Sequence, residues 1–175
     1  MRCFAGIDLS KDAINEIQRL QLIIKSYFIG KLTETENLHL TLKFLGEVEE
    51  DTVNEIKRRL SSIKHPSFQL TLLSFGVFSR QFIKIFWIKV SEVFLQQLVD
   101  KCLSDIFEPE NRFMGHITIA RVKKLTDKNS LLKLIDAIKV NKVTFLVEEF
   151  YLKQSILTSQ GPIYKNIKRY KLENK

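Results

Sequence analysis

Two short apolar runs, residues 38–46 (LHLTLKFLG) and 114–122 (MGHITIARV), constrain this chain more than any other feature. Each alternates in the manner of a β-strand, and each carries the same pattern, His39-Leu40-Thr41 in one and His116-Ile117-Thr118 in the other. Along a strand, residues i and i+2 share a face. Each run therefore turns an imidazole and a hydroxyl to one side and its aliphatic residues to the other. The chain has three histidines, and two of them sit in this setting. Such strands belong in sheets with one packed face and one open face.

The elements around the two runs repeat in order. Residues 2–9 read as a strand, and Ser10 stands as an N-cap before the amphipathic stretch 11–28, with Ile14, Ile17, Leu20 and Ile24 at helical spacing. Gly30 and a polar connector lead into the first His-Thr strand. Residues 50–63 read as a helix with Val53, Ile56 and Leu60 on one face, broken by His65-Pro66, and 68–78 alternates as a strand. The second half runs the same way: a strand over 83–90, Ser91 as cap of a helix over 92–107, the second His-Thr strand, a helix over 127–139 and a long strand over 143–157. A further strand over 164–172 closes the chain.

The order strand, helix, His-Thr strand, helix, strand thus occurs twice, with His39 and His116 77 positions apart. It predicts an α+β fold of two pseudo-symmetric lobes. Each lobe is an antiparallel sheet with helices packed on its outer side, and a central cleft lies between them. The first half spans about 1–80 and the second about 81–160, with a C-terminal strand over about 163–173. No Pro- or Ser-rich linker separates the halves, which points to one interlocked domain.

At 175 residues the chain is long enough for a substantial core, and 45% hydrophobic with 27% charged residues is ordinary globular composition. The formal charge of +8, from 28 basic and 20 acidic side chains, favours an anionic partner such as nucleic acid. Cys3 and Cys102 fit no metal or redox pattern and read as two reduced thiols. The N-terminus runs straight into a strand pattern, with no basic segment leading to an apolar signal core. No apolar stretch reaches membrane-spanning length. The expectation is a cytoplasmic protein.

The paired motifs suit one chemistry in particular. Opening a phosphodiester without a metal needs one group to take a proton from the nucleophile and another to give one to the departing oxygen. Imidazole serves both roles because its ordinary pKa lies near neutral pH. Negative charge grows on the non-bridging oxygens, and a threonine hydroxyl two residues from each histidine is a suitable donor to them. The plainer alternatives are histidines hydrogen-bonded in a core and threonines present as good strand formers. The recurrence of the same context in both halves favours the functional reading. A zinc site would want a third ligand at supporting spacing, and neither strand has an acidic residue beside its histidine on that face, so no metal or cofactor is expected. His65, before Pro66 in a turn, reads as an exposed bystander.

The chain resembles the two-histidine phosphoesterase superfamily, and within it the RNA 2′,3′-cyclic phosphodiesterases, also called the 2′-5′ RNA ligase family. The resemblance rests on Arg2-x-Phe4-x-x-Ile7-x-Leu9, the block 36–48 (ENLHLTLKFLGEV), Phe86-Trp87 after Gly76, the block 116–122 (HITIARV), Ser155-Ile156-Leu157 and Gly161-Pro162-Ile163-Tyr164. It implies metal-independent cleavage of an RNA 2′,3′-cyclic phosphate to a 2′-phosphate, with His39 as proton donor, His116 as proton acceptor, and Thr41 and Thr118 on the phosphate. It also implies RNA with cyclic phosphate ends as partner, including tRNA halves joined through a 2′-5′ linkage when an RNA 5′-hydroxyl replaces water. A monomer is expected. The motif is nearly symmetric, so the residues alone do not orient acid and base. The family's usual proline before the second histidine is replaced by Gly115, which leaves the backbone freer there.

Four further residues are candidates for substrate contact. Arg121 matches a family arginine, but strict alternation turns it away from His116; a bulge or strand end would bring it in, and otherwise it faces solvent. Lys43 shares the His39 face by alternation and reads either as a phosphate-attracting residue at the cleft mouth or as an exposed strand lysine. Phe4 and Tyr164 are candidate platforms for bases, with core packing the rival reading for Phe4. Trp87 reads as core. The basic clusters at 57–59 and 165–171 read as solvated faces with a general attraction for RNA. Two other functions stay open: a phosphodiesterase for 2′-5′-linked oligonucleotides, and a non-catalytic RNA- or nucleotide-binding module.

Overall fold

In chain order the elements are β1 (Arg2–Asp8), α1 (Lys11–Ile24), β2 (Phe28–Leu32), β3 (His39–Glu47), α2 (Glu50–Leu60), β4 (Phe68–Val77), β5 (Ile85–Val90), α3 (Phe94–Cys102), β6 (His116–Leu125), α4 (Lys128–Ala137), β7 (Thr144–Val147), β8 (Glu149–Thr158) and β9 (Gly161–Lys171). They are taken from a computed structural model that describes residues 1–91 and 93–173. The strands form two antiparallel sheets, ordered β3-β1-β8-β9 and β2-β6-β5-β4-β7. The two His-Thr strands, β3 and β6, lie in different sheets and approach each other. Helices cover the packed faces, α3 against β3 and α1 against β6.

Each His-Thr strand pairs with the first strand of its own half, β3 with β1 and β6 with β5. The next place in each sheet is filled from the other half, by β8 beside β1 and by β4 beside β5. The halves therefore exchange strands, and one continuous apolar core runs through both. Leu40, Ile117 and Ile119 are fully buried on the packed faces of the His-Thr strands, each contributing about 1.5–3 kcal/mol.

Three local expectations change. Ser10 does cap α1, accepting from the Ala13 amide at 3.2 Å, but the helix ends at Ile24 rather than Phe28. After a 3-10 turn over Lys25–Tyr27 the chain becomes β2 and pairs with β6. Phe28 is drawn into the core against Phe86, ring centroids 5.2 Å apart, and pairing with β6 outweighs continuing the helix. Ser91 does not cap α3: its hydroxyl accepts from the Thr71 amide at 3.0 Å, and α3 starts at Phe94. The expected first residue of that helix, Glu92, lies outside the described residues. Finally, the strand expected over 143–157 divides at Glu148. β7 pairs with β4 in one sheet, whereas β8 pairs with β1 and β9 in the other, so the chain turns between sheets at that point.

Candidate active site

One cleft between the sheets is lined by His39, Thr41, His116, Thr118, Arg121 and Tyr164, among others, and encloses about 260 Å³. The two imidazoles are anchored alike. His39 Nδ1 donates to the Asn37 carbonyl at 2.7 Å, and His116 Nδ1 donates to the Met114 carbonyl at 2.9 Å. In both cases the acceptor is the backbone two residues earlier, so a local strand geometry fixes the ring. Donation from Nδ1 leaves Nε2 as the proton-transfer atom on each ring. Thr41 Oγ1 lies 2.9 Å from His39 Nε2, close enough that one ligand atom can meet both.

His39 is also packed among rings. Phe4 lies 4.7 Å from it and Tyr164 5.1 Å away edge-on. Burial holds the His39 imidazole below its ordinary pKa. The Asn37 carbonyl and the Asp8 carboxylate oppose that shift, and Lys153 and Arg121 add to it. Burial also pushes the Tyr164 phenol up, keeping it a neutral donor at the cleft wall.

Both His-Thr strands contain a β-bulge at the same distance from the histidine. In the β1–β3 ladder Ala5 faces Lys43 and Gly6 faces Thr41, leaving Leu42 unpaired. In the β5–β6 ladder Phe86 faces Ala120 and Trp87 faces Thr118, leaving Ile119 unpaired. An extra residue inverts the alternation beyond it. Two consecutive residues are buried in each strand, Leu42 with Lys43 and Ile119 with Ala120, and the next residue returns to the open face. That next residue is Phe44 in β3 and Arg121 in β6, each five positions after its histidine, and both line the cleft.

The bulge decides between the two readings of Arg121, which stands on the side of His116 and Thr118. The same bulge corrects Lys43, which alternation places beside His39. Its side chain enters the packed side, where Nζ pairs with Asp100 Oδ1 at 2.5 Å and donates to the Glu108 carbonyl at 2.9 Å. Lys43 borders the floor of the cleft, but with 3% of its surface exposed its ammonium is spent on Asp100 and the Glu108 carbonyl, where it anchors α3 and the following loop to β3. Phe4 is corrected as well: at 1% exposure it offers no face to a base and instead braces His39, Tyr164 and Phe44. Tyr164 is half-buried on the cleft wall. Trp87, expected in the core, is half-buried near His116 instead, with ring centroids 6.5 Å apart.

Gly115 is packed against the end of β5; a Cβ there would stand 2.7 Å from the Val90 side chain, and its carbonyl accepts from the Val90 amide at 2.9 Å. The glycine thus lets the two strands close up immediately before His116. Phe44 and Asn37 are among the cleft residues that escape the sequence reading. Phe44 is traceable through the five-residue spacing it shares with Arg121. Asn37 acts on His39 through its backbone carbonyl, which no side-chain pattern reveals; its own amide donates to the Pro162 carbonyl at 2.8 Å, tying the turn to β9. In the basic cluster at 57–59, Arg58 and Arg59 are paired with Glu55, and Arg59 also with Asp105. Among the described residues no group of three or more His, Cys, Asp or Glu side chains is placed to hold a metal ion, and no helix is long and apolar enough to cross a membrane.

Two strand-borne imidazoles, each with its threonine, facing one cleft between pseudo-symmetric sheets define the class of two-histidine phosphoesterases. The chain belongs to the LigT-like phosphoesterase family, whose model matches residues 7–87 and 93–164. It is 35% identical to the RNA 2′,3′-cyclic phosphodiesterase of Thermotoga maritima, over 94% of this chain and 92% of that one. It is 36% identical to the enzyme of the same description from Methanocaldococcus jannaschii, over 97% and 100%. The fold is shared with TT0787 of Thermus thermophilus, at a TM-score of 0.79 and 22% identity over 98% and 97% of the chains. It is shared also with Escherichia coli LigT in its complex with 3′-AMP, at 0.75 and 24% over 98% and 97%.

Proposed function

We propose that this protein opens RNA 2′,3′-cyclic phosphate ends to 2′-phosphates with one histidine taking a proton from water and the other giving one to the departing oxygen, and that an RNA 5′-hydroxyl can replace water to give a 2′-5′ linkage. The observation that carries the reading is the matched anchoring of His39 and His116. Each ring donates from Nδ1 to a backbone carbonyl, which turns both Nε2 atoms to one cleft as the sites of proton transfer, that of His39 beside the Thr41 hydroxyl. Relatives described as RNA 2′,3′-cyclic phosphodiesterases support the substrate class.

In this mechanism His116 Nε2 takes the proton of the attacking water as the P–O bond forms. The P–O3′ bond breaks, and His39 Nε2 returns a proton to O3′. Thr41 and Thr118 donate to the non-bridging oxygens, where charge grows. Arg121 adds a fixed positive charge at the rim, and Tyr164 a neutral donor and an aromatic wall. The natural substrates are RNA ends, including tRNA halves, and the protein works as a cytoplasmic monomer.

The test is incubation with an RNA ending in a 2′,3′-cyclic phosphate, in EDTA, with identification of the product. A 2′-phosphate is expected. A 3′-phosphate, or activity that appears only on adding a metal, overturns the mechanism. His39→Ala and His116→Ala are each expected to lower kcat by about 10²–10⁴-fold with RNA binding largely kept. A variant that turns over at nearly the normal rate removes its histidine from the chemistry.

A further inference from the structure

Beside His116, immediately outside the cleft, stands an aromatic ledge that the hydrolytic mechanism leaves unused. Phe78, one residue past β4, is 57% exposed. Its ring meets the His116 imidazole edge-on at 5.1 Å and the Trp87 indole at 5.6 Å. Trp87 lies across Gly76, where a Cβ would come within 2.3 Å of its ring, so only glycine lets the indole sit so low on the sheet. The Trp87 N–H is buried and has no hydrogen-bond partner among the described residues. Lys89, exposed, is the cross-strand partner of His116 in the β5–β6 ladder. The loop beyond Phe78 is held in place: Ser79 Oγ accepts from the Phe82 amide at 3.2 Å, and Arg80 pairs with Asp136.

The aromatic groups near His39 have other surroundings. Phe4 is buried, while Tyr164 and Phe44 line the cleft itself. Phe78 and Trp87 stand outside it, on the side where the nucleophile must approach if His116 is the base. An exposed ring with a lysine beside it is what a single-stranded nucleotide needs, since a base stacks on the ring while the ammonium meets a phosphate. The net charge of +8 adds a general attraction for such a strand.

We propose that this ledge binds the terminal nucleotide of an RNA strand bearing a free 5′-hydroxyl, its base stacked on Phe78 and its following phosphate beside Lys89. The inference rests on the function proposed above, with His116 as base. The bound strand presents its 5′-hydroxyl in place of water. The O5′ proton passes to His116, the P–O5′ bond forms, the P–O3′ bond breaks, and His39 gives its proton to O3′. The product is a 2′-5′ phosphodiester with a free 3′-hydroxyl. The reverse reaction cleaves such a linkage to a cyclic phosphate and a 5′-hydroxyl, and uses the same ledge for the leaving nucleotide.

The experiment compares two reactions in the wild type, Phe78→Ala and Phe78→Trp. One is hydrolysis of an oligonucleotide with a cyclic phosphate end, which needs only water on the ledge side. The other is cleavage of a 2′-5′-linked diribonucleotide, which needs the ledge. Phe78→Ala is expected to leave the first within about twofold and to raise KM for the second about 5- to 100-fold, the range of a lost base stack. Phe78→Trp is expected to behave as the wild type. Trp87 is the chain's single tryptophan, so its fluorescence should change on titration with a short 5′-hydroxyl RNA lacking a cyclic phosphate, and at higher concentrations in Phe78→Ala. Equal effects on both reactions, or no effect on the second, would each sink the ledge alone. A wild type that hydrolyses cyclic ends yet never cleaves the 2′-5′ linkage removes the ledge together with the 2′-5′ joining proposed above and leaves the hydrolysis standing. A wild type that opens no cyclic phosphate removes both proposals.

Discussion

At His39, donation from Nδ1 to the Asn37 carbonyl leaves Nε2 for the substrate, and burial keeps the ring neutral at a pH where an exposed imidazole would begin to charge. In the donor role proposed for it, however, it must be charged. A bound phosphate resolves this conflict, because an anion against Nε2 favours the imidazolium. The alkaline limb of kcat/KM, which reports the free protein, is therefore expected at lower pH than the alkaline limb of kcat, which reports the complex. Two neighbours tune that limb. Lys153 pairs with Asp8 at 2.7 Å, and Asp8 is the cross-strand partner of His39. Lys153→Gln removes a positive charge and leaves Asp8 uncompensated, so the kcat/KM limb should move up; Asp8→Asn does the reverse and should move it down. If both variants shift the limb the same way, charge is not what these residues supply.

The elements that carry the site depend on contacts that local pattern does not show. β3 is an edge strand, and α3 is docked on it through the buried pair Lys43–Asp100, whose carboxylate also accepts from the Glu110 amide at 3.1 Å. Lys43→Met strands that carboxylate in the interior and is expected to cost about 3–5 kcal/mol, read from urea midpoints; adding Asp100→Leu should restore much of the loss. A Lys43→Met protein with an unchanged midpoint would show that the pair is not buried. Alternation carried through Leu42 puts Lys43 on the wrong face. The unpaired Leu42 and Ile119 look like ordinary strand residues in sequence, since a bulge is a mismatch with a partner strand rather than a property of one strand. His39, Thr41, His116 and Thr118 lie before the bulges, where alternation still holds, and for that reason their shared faces are legible. Phe44 and Arg121 lie beyond them.

Across the molecule, the exchange of β4 and β8 means that neither sheet can be completed by one half of the chain. Unfolding is therefore expected as a single transition, with far-ultraviolet circular dichroism and Trp87 fluorescence coincident in denaturant; two separated transitions would mean that the halves fold independently. The turn at Glu148, which sends β7 to one sheet and β8 to the other, belongs to the same design and reads in sequence as one uninterrupted strand. The amino-acid sequence by itself determined the periodicities, the duplicated order of elements and the side-by-side placement of each imidazole with its hydroxyl, because these follow from spacing within one strand or helix. Only the tertiary structure decided which strands share a sheet, that Arg121 returns to the open face while the Lys43 ammonium is buried against Asp100, and that an aromatic ledge adjoins His116. Those outcomes depend on register and packing between segments far apart in the chain, and no single segment encodes its partner.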